Sequence, residues 1–270
     1  MHLTKNGLEK IVDLAKNLAV TAGNRLLEIQ STVKVVQQKD RQDISTTADL
    51  ASENIIISGI KNAFPDHEIY SEESGDNNNF SAYRWIIDPL DGTKEYIRRI
   101  PGFNVSIAVE YENKLIVSVV YRPSDHTIYS AYLGNGAYLD NERIAVSNTK
   151  HLEDSFVYCY LQSAFRNPER YKDAWNRIGE IGKRVYRLRS FADENTMLCW
   201  LAQGGHEAYI NLSNPPKWHD IAPGLLIAQE AGAYIPNQTI SQIRQGTCNS
   251  IIIANQATIW QEIKQIIDEE

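Results

Sequence analysis

The chain has 270 residues, of which 43% are hydrophobic and 23% charged, as in an ordinary globular enzyme of one large domain or two. A net charge of −7 without a long basic run argues against nucleic acid as a partner. Cys159, Cys199 and Cys248 are widely spaced, so neither a disulfide framework nor a zinc site is predicted. We find neither a signal-type segment nor a long apolar stretch, and we therefore expect a cytoplasmic protein without a membrane partner.

The first half begins with two predicted helices. Apolar residues recur at helical spacing from Leu8 to Ile29 and from Ala48 to Ala63. Residues 84–87 have the composition of a short buried strand. Between residues 104 and 146 the pattern changes to alternating strands with a hairpin turn at Asp140-Asn141, which predicts an antiparallel meander.

After about residue 147, predicted strands and helices alternate. The strands are predicted at residues 156–161, 185–188, 207–210 and 251–254, and the helices at residues 169–181, 195–202, 220–231 and from residue 256 onward. These patterns predict an α/β (α+β) protein with a boundary near residue 147. Residues 1–147 would form an antiparallel-sheet half that carries most of the site, and residues 148–270 an α/β half.

Two aspartates, Asp88 and Asp91, directly follow the predicted strand at residues 84–87. Pro89 is expected to stop strand pairing, and Gly92 to permit a tight turn whose amides can face an anion. Two carboxylates roughly 4 Å apart repel by about 4 kcal/mol at an effective dielectric constant of about 20. This repulsion favours a raised pKa or a bound divalent metal.

Four segments, in this order along the chain, resemble the inositol monophosphatase superfamily of metal-dependent, lithium-sensitive phosphatases. They are residues 39–49, Glu72-Glu73-Ser74, the run from Asp88 to Thr93, and Trp218-His219-Asp220 with the later Glu230-Ala231-Gly232. The continuation Lys94-Glu95-Tyr96 is most similar to the 3′(2′),5′-bisphosphate nucleotidase branch. The resemblance covers most of the chain, and it implies a layered α-β-α-β-α sandwich of the sugar-phosphatase type.

The resemblance also implies a Mg²⁺ site with two ions, and a third, weaker ion near Glu72. Glu72, Asp88 and the backbone carbonyl of Leu90 would hold the first metal. Asp88, Asp91 and Asp220 would hold the second, with Asp88 as the bridging ligand. Because Asp91 and Asp220 lie far apart in the sequence, we expect a site between the two halves.

The catalytic pair implied by the resemblance is Thr93 and Asp49, which would orient and deprotonate the attacking water, with Glu72 as a further catalytic carboxylate. The backbone amides of Gly92 and Thr93 would bind the phosphate. A different role for Asp49, capping the helix that begins near residue 48, is compatible with catalysis. Asp43 is either a supporting residue or part of a loop.

Two departures from the family pattern concern the substrate-binding residues. His219 precedes Asp220, and it either binds substrate or simply packs. Pro223 is expected in the first turn of the same helix, where a missing N–H costs little. Asp193 stands where the family pattern usually has Ser or Thr, and its carboxylate would accept hydrogen bonds from sugar hydroxyls but repel a second phosphate.

These observations predict a Mg²⁺-dependent phosphomonoesterase that uses metal-activated water on a small phosphorylated substrate. The leading substrate is 3′-phosphoadenosine 5′-phosphate, and the alternative is inositol 1-phosphate or another sugar phosphate. A hypothesis of another class is a regulatory or binding protein on a phosphatase fold. A homodimer is also predicted.

Overall fold

The structure is a computed structural model, which describes residues 4–38, 44–161, 164, 167–191, 193–213, 216–248 and 250–269. The predicted supporting residue Asp43 lies outside the described residues, as does the start of the segment 39–49.

The helices agree with most of the predicted positions. In chain order they are α1 (Lys5–Ile29), α2 (Thr47–Ala63), α3 (Thr93–Ile97), α4 (Pro168–Gly182), α5 (Glu194–Ala202), α6 (Trp218–Glu230), α7 (Asn237–Arg244) and α8 (Ala257–Glu269). The sequence analysis did not predict α3 or α7, which are short.

The strands form three sheets. In chain order they are β1 (Val35–Gln38), β2 (Ile44–Thr46), β3 (Glu68–Ser71), β4 (Gly75–Asp76), β5 (Tyr83–Asp91), β6 (Asn104–Tyr111), β7 (Lys114–Arg122), β8 (Thr127–Tyr132), β9 (Ala137–Leu139), β10 (Glu142–Ile144), β11 (Phe156–Tyr160), β12 (Arg187–Arg189), β13 (Ala208–Asn211) and β14 (Ile251–Ala254). Besides the β1–β2 pair, there is an eight-stranded sheet of order β10-β9-β8-β7-β6-β5-β3-β4 and a four-stranded sheet of order β12-β11-β13-β14.

The antiparallel meander is confirmed, because β5 to β10 pair in sequence order and all antiparallel. The prediction that Pro89 ends strand pairing is wrong. Strand β5 continues to Asp91, and the pairing with β6 shifts register between Asp88 and Asp91. Such a bulge tolerates a proline, because the residues inside it are not required to donate to the neighbouring strand.

Among the described residues, three apolar clusters hold five layers together, and the second cluster spans two of the four interfaces. The first packs α1 and α2 on one face of the eight-stranded sheet, as at Leu26, Ile56 and Trp85. The second fills the space between the two large sheets with α5 and α6. The third joins the outer face of the four-stranded sheet to α4 and α8. Each amphipathic element therefore buries its apolar face against a neighbouring layer, and the predicted α-β-α-β-α sandwich is confirmed.

The eight-stranded sheet ends at Ile144 and the four-stranded sheet begins at Phe156. Helix α6, from the second half of the sequence, packs on strands of the first sheet, so the two halves share a core. That they are separate domains divided near residue 147 stays a prediction.

Within the described residues, no helix is both long and apolar enough to cross a membrane. The three cysteines are buried and unpaired.

Candidate active site

Asp88 and Asp91 lie at the bulged end of β5, in the centre of the molecule. Asp88 is 2% exposed, and its Oδ1 accepts a hydrogen bond from the Leu90 N–H at 3.1 Å. Asp91 is partly exposed, and its Oδ2 accepts hydrogen bonds from the Nδ2 groups of Asn104 and Asn195, at 3.2 and 3.3 Å. The bulge places both carboxylates on the side of the sheet that faces α5 and α6.

Burial raises the pKa of Asp88 well above its ordinary value, and the charges of Glu72 and Asp220 raise the pKa further, whereas His219 lowers it. Burial also raises the pKa of Asp91, followed by the charges of Asp193 and Asp88. The site therefore concentrates negative charge in a poorly solvated place.

Glu72 lies in the turn after β3, which runs parallel to β5. Its N–H donates to the carbonyl of Ile87 at 3.1 Å, and this bond places the turn beside the end of β5. Glu53 supports the turn from α2, because its Oε1 accepts hydrogen bonds from the N–H and the hydroxyl of Ser74 at 3.0 and 2.9 Å. Parallel pairing thus brings Glu72 to the same edge as Asp88.

Asp220 enters the site from the first turn of α6. Its Oδ2 accepts the N–H of Lys217 at 3.0 Å, as a capping residue does. The Nζ of Lys217 in turn lies 3.4 Å from Glu72 Oε1. Helix α6 begins at Trp218, two residues earlier than predicted, so the prediction that Pro223 lies in the first turn is wrong.

The side chain of Asn195, at the start of α5, takes the place of the helix hydrogen bond that is missing at Pro223. A proline at this position cannot donate to the carbonyl of His219 four residues earlier, and Asn195 Nδ2 donates to that oxygen at 3.4 Å instead. Asn195 Oδ1 accepts the N–H of Gly224 at 2.9 Å. Since the same amide also reaches Asp91, Asn195 joins the start of α6 to the end of β5.

His219 is 1% exposed and lies among the carboxylates. Its Nε2 is 3.1 Å from Asp220 Oδ1 and 3.7 Å from Glu72 Oε1. Burial lowers the pKa of His219, but the neighbouring Asp220, Glu72 and Asp88 outweigh this effect and raise the pKa to about 11. The imidazole therefore faces the carboxylate cluster and does not simply pack in an apolar core.

Asp49 and Thr93 are in contact, although 44 residues separate them. The Thr93 hydroxyl lies 3.1 Å from Asp49 Oδ1 and 3.0 Å from the carbonyl oxygen of Leu90. Asp49 also forms a capping box with Thr46, whose N–H donates to Oδ2 at 2.8 Å. Helix capping and contact with Thr93 are thus both present. Burial raises the pKa of Asp49 to about 6, against the opposing effect of the bonds from Thr46.

Gly92 makes the turn that leads from Asp91 into Thr93. Its φ is +84°, and an added Cβ would lie 2.4 Å from the carbonyl oxygen of Gly102 and 3.0 Å from the Cα of Phe103. Only glycine fits this conformation and this close approach. The predicted tight turn is confirmed.

Asp193 caps helix α5. Its Oδ1 accepts the N–H of Thr196 at 2.6 Å and its Oδ2 accepts the Thr196 hydroxyl at 2.9 Å. The neighbouring Glu194 is also buried, and burial, followed by the charge of Asp220, raises its pKa well above the ordinary value. The predicted contact of Asp193 with substrate stays a prediction, but Asp193 lies close enough to Asp91 to raise the pKa of that carboxyl group.

Sequence reasoning missed several polar residues that hold the site together. They are Asn104 and Asn195, which bind Asp91, Glu53, which holds the Glu72 turn, and Glu110, whose Oε1 accepts the indole N–H of Trp218 at 3.2 Å. Asn104 and Glu110 lie in a predicted strand and are buried. A polar residue at an inward position of a strand is the signal that the sequence offered.

The donor set fits a divalent cation. Ligand atoms of Glu72, Asp88 and His219 all lie within 4.8 Å of one another. The pKa of Asp88 is raised first by burial and then by the charges of Glu72 and Asp220, and a bound cation would offset both effects.

Comparison with known proteins gives one consistent family. A sequence model of the inositol monophosphatase family matches residues 7–268. Over 228 residues the chain is 34% identical to the fructose-1,6-bisphosphatase/inositol-1-monophosphatase of Aquifex aeolicus, covering 83% of this chain and 84% of that protein. It is 32% identical over 231 residues to the Nus factor SuhB of Vibrio cholerae, covering 84% of this chain and 85% of that protein.

Solved structures agree. The extragenic suppressor protein suhB of Bartonella henselae superposes with a TM-score of 0.87 at 25% identity, covering 96% of this chain and 99% of that one. The inositol monophosphatase of Anabaena (Nostoc) sp. PCC 7120 superposes with a TM-score of 0.82 at 26% identity, covering 97% of both chains.

Proposed function

Since the chain belongs to the inositol monophosphatase family of metal-dependent phosphatases, we propose that it is a Mg²⁺-dependent phosphomonoesterase that hydrolyses a small phosphate ester. The observation that carries this proposal is the convergence of Glu72, Asp88, Asp91 and Asp220, from three separate segments, beside the Gly92-Thr93 turn. A dianionic ester approaches such a place only if cations accompany it.

We assign the metal ligands as the resemblance implies. Glu72, Asp88 and the Leu90 carbonyl would hold one Mg²⁺, and Asp88, Asp91 and Asp220 a second. A third ion beside Glu72 stays an expectation. When bound, these ions supply Lewis-acid stabilisation of the phosphate charge and lower the pKa of water.

Asp49 and Thr93 move the proton in this proposal. When the Thr93 hydroxyl donates to Asp49 Oδ1, its own oxygen can accept a proton from the attacking water. At the same time the proton that Thr93 already carried passes to Asp49, which must be ionised beforehand. The backbone amides of Gly92 and Thr93 would bind the phosphate, so that the water attacks in line with the leaving oxygen.

For the substrate, we propose an inositol or other sugar monophosphate. Asp193 lies close enough to Asp91 to raise its pKa, and a negative charge there would repel a second phosphate while accepting hydrogen bonds from sugar hydroxyls. The inositol-1-monophosphatase part of the Aquifex relative's name agrees with this assignment, whereas its fructose-1,6-bisphosphatase part names a substrate with two phosphates. The bisphosphate nucleotide remains the second candidate, because exposed Lys94 directly follows Thr93 and Lys94-Glu95-Tyr96 resembles the nucleotidase branch.

A regulatory role is the alternative of another class, since several relatives are named Nus factor SuhB. A net charge of −7 and the full set of site carboxylates favour a small phosphorylated substrate over nucleic acid. The homodimer stays a prediction.

The test is phosphate release with Mg²⁺ from inositol 1-phosphate, fructose 1,6-bisphosphate and 3′-phosphoadenosine 5′-phosphate. We expect the inositol ester to be hydrolysed fastest, and EDTA to abolish turnover, which added Mg²⁺ should restore. Lithium chloride should inhibit more strongly than sodium chloride at the same ionic strength. Unchanged phosphate release by metal-free protein would refute the proposed mechanism, and fastest hydrolysis of the nucleotide would refute the substrate assignment.

A further inference from the structure

His219 is a buried polar side chain at the carboxylate cluster, and the proposed mechanism gives it no task. Neither of its ring nitrogens has a hydrogen-bond partner of good geometry, although Nε2 lies close to Asp220 and Glu72. A buried polar group without such a bond is destabilising, because it has lost its bonds to water. A ring nitrogen that lacks a good hydrogen bond and faces carboxylates is available to coordinate a cation.

The geometry allows one cation to reach this nitrogen. Ligand atoms of Glu72, Asp88 and His219 lie within 4.8 Å of one another. Two ligands that face each other across a cation, each about 2.1 Å from it, are roughly 4.2 Å apart. A small inward movement of these three side chains would therefore place them around a single ion.

The surroundings also hold the imidazole in this place. The ring packs against Tyr70, with ring centroids 5.7 Å apart. The carbonyl of His219 is bound by Asn195, and the preceding Trp218 is bound by Glu110. A ligand whose backbone is fixed on both sides loses little conformational freedom when the ion binds.

We propose that His219 is a nitrogen ligand of the cation held by Glu72 and Asp88, and that it makes this position prefer a transition-metal dication such as Mn²⁺ over Mg²⁺. Imidazole nitrogen is a softer donor than carboxylate oxygen, and Mg²⁺ strongly prefers oxygen. The inference rests on the proposed function, because it uses two of the same metal ligands. The competing arrangement is a charged imidazole that takes the place of the cation.

In the experiment the bound Mn²⁺ ion is itself the spectroscopic probe of its ligands. The full-length protein, freed of metal and loaded with one equivalent of Mn²⁺, is studied by pulsed electron paramagnetic resonance. We expect modulation from a directly coordinated ¹⁴N, which should change to the ¹⁵N pattern when the protein is made with ¹⁵N-histidine. His219→Gln should remove the nitrogen coupling, and His151→Gln, at an exposed histidine, should leave it unchanged.

Metal affinity gives a second measurement. We expect His219→Gln to weaken Mn²⁺ binding by at least the roughly 10–100-fold lost when a supporting partner of a metal ligand is removed. Mg²⁺ binding should weaken much less, because the glutamine amide offers an oxygen. Equal losses for the two ions would contradict the proposed selectivity.

The failures of the two proposals are distinguishable. Bound Mn²⁺ without nitrogen coupling in the wild-type protein would overturn the role of His219 and leave the proposed carboxylate site in place. Failure of Mn²⁺ and of Mg²⁺ to bind would overturn both. The wild-type spectrum alone can support or overturn the role of His219. The test therefore does not depend on whether His219→Gln folds.

Discussion

The site has two halves that are held by different means. At the end of β5, Asp88, Leu90 and Gly92 are placed mainly by their own segment. The segment contains a bulge, a hydrogen bond from the Leu90 N–H to the Asp88 carboxylate, and a turn that only glycine can make. At the start of α6, His219 and Asp220 depend on side chains that come from elsewhere in the chain, above all Asn195 and Glu110.

This difference teaches that a short motif can specify half of a site and leave the other half to tertiary packing. Asn195 is the point where the two halves meet, because one amide binds Asp91, the His219 carbonyl and the Gly224 N–H. We therefore expect loss of a carboxylate to lower activity about equally, whichever half it belongs to. Loss of a supporting side chain should mainly disturb the position of the residues at the start of α6.

The largest effect is expected from removing one carboxylate in either half. Asp91→Asn and Asp220→Asn should each lower kcat by about 10²–10³, as loss of one preorganised electrostatic group does. Stability of the metal-free protein should not fall in Asp91→Asn, because burial and like charges already disfavour the charged form. Phosphate release and thermal unfolding measure these effects.

Asp140→Asn, at an exposed hairpin turn, is the matched control for that pair and should behave as the wild type. Near-normal kcat in Asp91→Asn and Asp220→Asn together would contradict the assignment of the site.

Asp49→Asn should lower kcat by about 10², the lower end of what a general base contributes. Since the pKa of Asp49 is raised to about 6, the wild-type activity should fall as pH drops through about 6, because protonated Asp49 cannot accept from Thr93. The variant should lack this acidic limb. The pH dependence of kcat/KM decides the matter, with Asp66→Asn, at an exposed aspartate just beyond the same helix, as control.

Asn195→Ala tests the dependence of the helix half on tertiary packing. It leaves the His219 carbonyl and the Gly224 N–H without their side-chain partner, so we expect a destabilisation of roughly 1–3 kcal/mol. We also expect kcat to fall by about 10-fold, since 1.4 kcal/mol of lost positioning corresponds to that factor. Urea unfolding and phosphate release are the measurements.

Asn255→Ala is the control for this effect. Asn255 is equally buried and bridges Ser147 and Thr149, away from the carboxylates. It should lose similar stability and keep its kcat. If both variants lost activity in proportion to stability, Asn195 would have no special role in the site.

The smallest effect is expected at Asp193. Asn is as good a helix cap as Asp, so Asp193→Asn should leave α5 intact and remove one negative charge beside Asp91. Relative activity on 3′-phosphoadenosine 5′-phosphate over inositol 1-phosphate should rise by up to about 10-fold, equivalent to about 1.4 kcal/mol. A fall in this ratio of kcat/KM values would show that Asp193 does not repel the second phosphate.

Local patterns predicted most of the elements correctly. The periodicity of α1 and α2 and the alternation in β6 to β8 reflect burial on one face, which the sequence alone records. The parallel pairing of β3 with β5 was not predicted, because it depends on which strands meet after the chain has crossed between layers. The short helix α7 carries too few apolar residues for its period to be visible.

The sequence by itself determined the layered α/β class, the family, and the glycine turn that leads from Asp91 into Thr93. A turn with positive φ follows from backbone sterics, which favour glycine at that position. Only the tertiary structure decided three contacts. Asp49 meets Thr93, Asn195 supplies the hydrogen bond that Pro223 cannot make, and His219 faces carboxylates. These contacts join residues far apart in sequence, and their geometry follows from packing between layers, which no local pattern contains.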